Sequence, residues 1–236
     1  MMKRKALSVS GILAGVLVFA LFADAGEMTE IYSIARGGRL YDNWITTLKI
    51  KTPPKENHAS YPATGKDKGA STWRCAKCHG WDYQGKDGVV NKNLRTWMGK
   101  DVAEVVTILR SPTHNYTPAL LPDDAARDVA LFLTRGVIES EKYIDPANGR
   151  SRGDAAKGAP FYQTICGICH GMDGRKINFG SDKDPEFIAN EATEHPFEVL
   201  HKIRSGQPGQ EMINLRTLPP EVAADILAYI QTFPVR

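Results

Sequence analysis

This sequence has few cysteines, a small net charge and no stretch of alternating hydrophobicity. Its 236 residues include four cysteines, and none lies near residue 25, where a lipid anchor would need one. The net charge is +3, and removing the three cations and one acid of the first 25 residues lowers it to +1. Such a small charge does not favour nucleic-acid binding. No stretch alternates between apolar and polar residues over the length of a strand, so strands should be minor.

The four cysteines form two copies of the pattern C-x-x-C-H, one at residues 75–79 (CAKCH) and one at residues 166–170 (CGICH). This pattern is the attachment signature of a c-type haem. The two thiols add to the two vinyl groups of one haem, and the adjacent histidine reaches the iron as proximal ligand. The sequence therefore predicts two covalently attached haem c groups. The predicted attachment cysteines and proximal histidines are Cys75, Cys78, His79, Cys166, Cys169 and His170.

Paired cysteines have three other uses: zinc binding, thiol–disulfide exchange and structural disulfides. A zinc site would need ligands from both pairs, but the pairs lie 91 residues apart and each has its own histidine. A redox C-x-x-C pair has no need of a histidine directly after it. The haem interpretation is therefore favoured over these alternatives.

The first 25 residues are typical of a secretory signal. The basic segment Lys3–Lys5 precedes an uncharged run from residue 6 to residue 22, and Ala23–Ala25 is a small-x-small cleavage pattern. An uncleaved membrane anchor is the alternative, although the run is shorter than the about 20 residues that a helical span needs. Both interpretations send the rest of the chain across a membrane, where thioether attachment takes place. We therefore expect a periplasmic protein.

The remaining chain contains two related halves. The corresponding positions are Gly37 and Tyr41 with Gly158 and Tyr162, Arg110-Ser111 with Arg204-Ser205, and Leu121-Pro122 with Leu218-Pro219. Apolar residues near the end of each half follow a helical period, as in Val222, Ile226 and Ile230. Each half should therefore run helix, haem motif, helix, loop, helix.

The spacing between the halves also predicts the domain boundaries. The offset falls from 121 residues at the first helix to 91 at the haem motif, which indicates an insertion of 30 residues in the first half. Residues 49–72 fit this insertion because they show no apolar period. The predicted organisation is a signal at 1–25, a first domain at 26–138, a linker at 139–152 and a second domain at 153–236.

On the two haem motifs and the repeated helices, residues 27–236 resemble the class I c-type cytochromes, specifically two-domain dihaem cytochromes c. The resemblance implies an all-α fold of two tandem domains, in each of which an N-terminal and a C-terminal helix cross beside the haem. It also implies periplasmic electron transfer between a redox protein donor and acceptor.

In the family that the chain resembles, the second axial ligand comes from the loop before the C-terminal helix. In the second half this loop contains Met212, whose soft thioether suits the site. The equivalent loop of the first half, residues 111–118, has no methionine, and its His114 lies next to the position that corresponds to Met212. We therefore predict bis-His coordination at the first iron and His/Met coordination at the second. Met98 as ligand, or an open iron, is the alternative at the first site.

The other three histidines have no partner pattern in the sequence. His58 falls in the insertion, His195 precedes the helix that leads to the second distal loop, and His201 lies within that helix. We expect all three to be structural or solvent-facing.

Two other functional classes stay open beside an electron carrier. One is a dihaem redox enzyme of the peroxidase type with an open first haem; dihaem thiosulfate dehydrogenases use a cysteine as distal ligand, and no spare cysteine exists here. The other is an electron-accepting haem subunit docked on a larger dehydrogenase or on a membrane-bound respiratory complex.

Overall fold

The computed structural model describes the backbone of residues 10–235 and the side chains of residues 29–235. Within this part of the chain there is no β-strand, and the one isolated bridge pairs Ile144 with Ser151. The predicted all-α fold class is confirmed. The predicted secretory signal and its cleavage site lie outside the residues whose side chains are described. None of the helices among the described residues is both long and apolar enough to cross a membrane.

The described helices follow the predicted order in each half. In chain order they are α1 (Ser10–Thr47), α2 (Cys75–His79), α3 (Val102–Arg110), α4 (Asp123–Leu131), α5 (Ala155–Phe161), α6 (Gly167–His170), α7 (Ile188–Glu194), α8 (Pro196–Ser205) and α9 (Pro220–Ile230). The backbone of α1 departs from helical geometry at Asn43. A π-helical turn, Tyr162–Cys166, joins α5 to α6, so the helix before the second haem motif runs directly into it.

Local sequence signals explain where several helices begin. The carboxylates of Asp101 and Asp154 accept the N–H groups of Ala103 and Ala156, which caps the N-termini of α3 and α5. The Leu-Pro pairs mark the last helix of each half: α4 starts directly after Pro122, and α9 starts directly after the corresponding proline. Proline suits the start of a helix for two reasons: its φ is already fixed near the helical value, and the N–H group that it lacks would have no partner there.

The buried hydrophobic side chains form two separate clusters. The first draws on residues between Ile34 and Val137, and the second on residues between Ile144 and Ile230. The change from one cluster to the other falls at the predicted linker. This segment is fixed to the first half as well, because Arg95 forms an ion pair with Glu141 at 2.6 Å.

The first and last helices of each half cross at equivalent glycines. A Cβ atom added to Gly37 of α1 would lie 2.0 Å from the backbone oxygen of Asp128 in α4. A Cβ atom added to Gly158 of α5 would lie at the same distance from the backbone oxygen of Asp225 in α9. Only glycine allows two helix backbones to approach this closely.

The two halves also pack against each other through α1 and α8. Arg39 of α1 donates to the backbone oxygen of Ser205 at 3.1 Å, and Lys202 of α8 lies 3.2 Å from the carboxylate of Asp42. That carboxylate is buried and also pairs with Arg74 at 2.7 Å. Because Arg74 directly precedes the first haem motif, this network connects the first motif to the second half.

Candidate haem centres

Each C-x-x-C-H motif lies on helical backbone. The first motif is α2, which follows a 3₁₀ turn at Gly69–Trp73. The second begins in the π-helical turn and continues through α6. The helical turn brings the two cysteines of each motif to one side and places the histidine at its end.

A tyrosine binds the backbone of each motif at the same point; Tyr41 lies in α1, and Tyr162 directly follows α5. The hydroxyl of Tyr41 donates to the backbone oxygen of Gly80 at 2.5 Å, and that of Tyr162 donates to the backbone oxygen of Gly171 at 2.9 Å. Each of these glycines directly follows the motif histidine. The same hydrogen bond therefore fixes the residue after each predicted proximal ligand to the equivalent tyrosine of its half.

An arginine closes the loop before the last helix of each half. Arg110 donates to the backbone oxygen of Leu121 at 2.8 Å, and Arg204 donates to that of Leu218 at 3.2 Å. Each arginine comes from the helix before the loop, and each leucine precedes the proline that lies directly before the last helix. These loops are the ones predicted to carry the distal ligands.

The structure brings the two histidines predicted for the first iron together. The ring centroids of His79 and His114 lie 6.2 Å apart, and the ring planes are inclined by 26°. His79 ends α2, whereas His114 lies on the loop after α3, so the pair comes from elements 35 residues apart in sequence.

The hydrogen bonds divide the six histidines into two groups. Buried Nδ1 atoms with no hydrogen-bond partner belong to His79, His114 and His170. Among the others, His58 and His201 use both ring nitrogens in hydrogen bonds, and His195 is exposed. A buried polar nitrogen without a partner destabilises the fold, so each calls for an explanation. Either imidazole nitrogen can bind a metal ion, and the three unpartnered imidazoles are the three predicted histidine ligands.

The pKa values of these histidines favour the metal-binding form. Burial, together with the neighbouring His114, lowers the pKa of His79 to about 4. Burial and then the nearby His58 lower the pKa of His114, and burial lowers that of His170. All three imidazoles are therefore neutral at pH 7, which is the state that ligates iron.

The cysteines do not show the properties of a redox pair. No disulfide joins the four cysteines, and burial raises the pKa of Cys75 to about 12 and those of Cys78 and Cys166 to about 11. A thioredoxin-like pair instead has a lowered thiol pKa. A zinc site would need several ligands at one place, and no group of three or more His, Cys, Asp or Glu side chains among the described residues is arranged to hold a metal ion.

The methionines differ in how they lie around the two motifs. Met212 is half-buried on the loop after α8, and its backbone oxygen lies against Gly206. Met98, the alternative ligand at the first site, is 40% exposed, and Met172 is 62% exposed, with its sulfur close to Gly167 of the motif helix. Met212 stays the predicted distal ligand of the second iron.

Two buried histidines have contacts that the sequence pattern did not reveal. His58 lies 2.7 Å from the backbone oxygen of His114. His201 lies between the halves, where its Nδ1 accepts from the hydroxyl of Tyr83 at 2.7 Å and its Nε2 donates to the backbone oxygen of Gly38 at 3.0 Å. Burial lowers the pKa of His201 to about 3. No local motif marks either histidine, because their partners are distant in sequence.

Comparison with known proteins finds a family match within the second half. Residues 153–230 match the family described as cytochrome c oxidase, cbb3-type, subunit III. The match starts at Gly153, where the second domain is predicted to start, and it includes α5 to α9. A comparison with curated proteins finds no match. The chain therefore contains a cytochrome c domain, which supports an electron-transfer protein with covalently bound haem c.

Proposed function

We propose that this chain is a periplasmic dihaem cytochrome c that passes single electrons between a donor protein and an acceptor protein. The first haem is attached to Cys75 and Cys78. The second is attached to Cys166 and Cys169. The proposed iron ligands are His79 and His114 for the first haem, and His170 and Met212 for the second.

The separation of His79 and His114 is the observation that carries the proposal. Metal–imidazole bonds are about 2 Å long. Two such bonds, together with the half-width of each ring, add up to about the 6.2 Å between the ring centroids. Both imidazoles also have a buried nitrogen without a partner. An iron bound by both would have no free coordination position, which suits a carrier and not an enzyme that activates a small ligand.

The shared framework supports a second haem domain in the first half. The crossing glycine, the tyrosine that binds the residue after the motif and the arginine that closes the distal loop occur in both halves. The matched cytochrome c domain has all three contacts. We infer that the first half, which has them too, is built for the same cofactor.

The unlike ligand sets suggest a direction for the electron. Haem supplies the one-electron chemistry, and the axial ligands set its potential. A thioether raises the potential relative to a second imidazole. The first haem should therefore have the lower potential, and electrons should pass from the first domain to the second.

The location and the partner follow from the class of domain. Cytochrome c domains usually act outside the cytoplasm, which agrees with the secretory signal predicted at the N-terminus. The matched family is named for an oxidase subunit, so a haem subunit of a larger complex is the second candidate function. Affinity purification from periplasm and membranes separates the two: a carrier elutes alone, whereas a subunit retains stoichiometric partners.

Carbon monoxide binding tests the carrier function most simply. The ferrous protein should bind carbon monoxide slowly, show negligible peroxide turnover and be reduced in two separate one-electron steps. His114→Ala should open the first iron and bind carbon monoxide rapidly. Rapid binding by the unaltered protein that is unchanged in His114→Ala would refute bis-His ligation and favour an enzyme with an open first haem.

A further inference from the structure

The insertion in the first half is attached to the loop that carries His114. The Nε2 atom of His58 lies 2.7 Å from the backbone oxygen of His114, and the hydroxyl of Ser60 donates to the backbone oxygen of Thr113 at 2.6 Å. Both contacts join segments more than 50 residues apart in sequence. The insertion thus forms hydrogen bonds to two consecutive backbone carbonyl groups of the distal loop.

The hydrogen bonds fix the role of each nitrogen of His58. A backbone oxygen can only accept, so Nε2 carries the hydrogen and donates it to His114. The Nδ1 atom accepts the backbone N–H of Ser60 at 3.1 Å. The backbone N–H of His58 in turn donates to the hydroxyl of Thr72 at 2.8 Å. With both ring nitrogens used in this way, His58 is not itself an iron ligand.

Aromatic packing anchors His58 beside the first haem motif. Its ring lies edge-on to Trp73, with the centroids 4.5 Å apart, and 5.9 Å from the ring of Tyr116. The backbone oxygen of Trp73 accepts from the indole of Trp44 at 2.8 Å and from the hydroxyl of Tyr116 at 2.5 Å. His58 is consequently buried, although its neighbours in the insertion are exposed.

The distal loop has few other contacts of this kind. Its residues on either side of His114 are exposed, and Asn115 has a positive φ of 50°. The backbone N–H groups of His114 and Asn115 both bond to the oxygen of Ser111 within the same loop. Tyr116 holds the far side of the loop through its bond to Trp73, whereas the insertion provides the contacts at His114 and Thr113 themselves.

We propose that His58 is a positioning residue for the distal ligand of the first haem. By holding the backbone oxygen of His114, it keeps that imidazole opposite His79 and slows its departure from the iron. This role rests on the proposed bis-His ligation. The second half has no equivalent, because α5 continues into its haem motif with no insertion between them.

Two substitutions of His58 separate positioning from packing. His58→Ala removes the donor. Losing one hydrogen bond should raise the fraction of molecules in which His114 is off the iron, so we expect carbon monoxide to bind the ferrous protein about tenfold faster. His58→Gln keeps an N–H donor that reaches the same oxygen, and it should restore a rate close to that of the unaltered protein. Exposed His195 provides the matched control, since His195→Ala should leave the rate unchanged.

A second readout and a second variant keep the test decisive. The low-spin ferric signal of the first haem in electron paramagnetic resonance should broaden in His58→Ala and recover in His58→Gln. If His58→Ala does not fold, Ser60→Ala removes the neighbouring contact and should accelerate carbon monoxide binding by about threefold.

The outcomes distinguish this role from the proposed function. Slow carbon monoxide binding in the unaltered protein, with equally slow binding in His58→Ala and Ser60→Ala, would overturn the positioning role while bis-His ligation stands. Rapid carbon monoxide binding in the unaltered protein, at a rate that His114→Ala does not change, would overturn both the positioning role and bis-His ligation.

Discussion

The two C-x-x-C-H motifs lie on similar frameworks but in different surroundings. Beside the first motif the insertion forms hydrogen bonds with the distal loop, and Lys77 within the motif lies 3.8 Å from Asp67 of the insertion. At the corresponding position of the second motif is Ile168, which is 67% exposed. The ring 6.1 Å from His170 belongs to Phe179, a side chain that cannot ligate a metal, whereas the first motif faces a second histidine at a similar distance.

This difference separates the contacts that both halves share from those that belong to one half. The contacts common to both halves join helices and motif backbones: glycine crossings, tyrosine–glycine bonds and arginine–leucine bonds. The contacts found in one half come from loops, above all the insertion. The framework thus places a motif and a distal loop near each other, while the loops carry the proposed distal ligands and their surroundings.

The largest effect should come from breaking the common framework. In Gly37→Ala the new methyl group would meet the backbone of Asp128, and in Gly158→Ala that of Asp225. Each substitution should lower the free energy of unfolding by about 3 kcal/mol, as overpacked contacts do. Guanidinium unfolding checks this. Gly99→Ala is the control, because its positive φ adds strain but no atom lies within 4 Å of the new methyl group; equal losses in all three would contradict the crossing.

Replacing each predicted distal ligand in turn should show that the two haem potentials depend on different residues. His114→Ala should raise the lower potential, and Met212→Ala should lower the higher one and abolish the far-red absorption of Met-ligated ferric haem. Each shift should be on the order of 0.1 V, a fraction of the about 0.8 V that axial ligands control. Spectroelectrochemical titration measures both. A variant that moves both potentials equally would show that the two irons do not have separate ligand sets.

The contact between the halves should produce a pH dependence. Burial holds the pKa of His201 near 3 against an ordinary value of 6.5. As pH falls below 6.5, His201 therefore becomes protonated in the unfolded chain but stays neutral in the folded protein. The stabilisation is complete above pH 6.5 and declines as pH falls towards 3, by about 2 kcal/mol between pH 7 and pH 5. The charged groups that influence His201 are Asp42, Lys202 and Arg216.

Denaturant unfolding at pH 7 and pH 5 measures this decline, with His201→Gln as the comparison. The glutamine keeps an N–H donor for Gly38 and has no proton to gain, so its stability should fall less between the two pH values. An unchanged decline in His201→Gln would assign the pH dependence to other groups.

The framework could be predicted from the sequence because it depends on local spacing that recurs. Gly37 and Tyr41 stand four residues apart, as do Gly158 and Tyr162, and in the structure the two pairs have equivalent partners. His114 was predicted from its place in a loop, and the structure does bring it opposite His79. Recurrence between the halves predicted the framework, and His114 was predicted from that recurrence together with the family resemblance, which implies a distal ligand in this loop.

The contacts of His58 and His201 could not be predicted in this way. His58 meets His114 across 56 residues, and His201 meets Tyr83 across 118. The insertion has no apolar period, and it occurs in one half alone, so nothing in the other half indicates where it packs. Contacts between segments without regular structure depend on the tertiary fold, which periodicity does not describe.

Intact-mass spectrometry of the purified protein tests the central claim, that each motif binds one haem covalently. The unaltered chain should exceed its polypeptide mass by two haems, with no free thiols. Replacing Cys75 and Cys78 together with serine should leave one haem, and so should replacing Cys166 and Cys169. A mass of one haem in the unaltered protein, or free thiols at Cys75 and Cys78, would contradict the account of the first half as a haem domain.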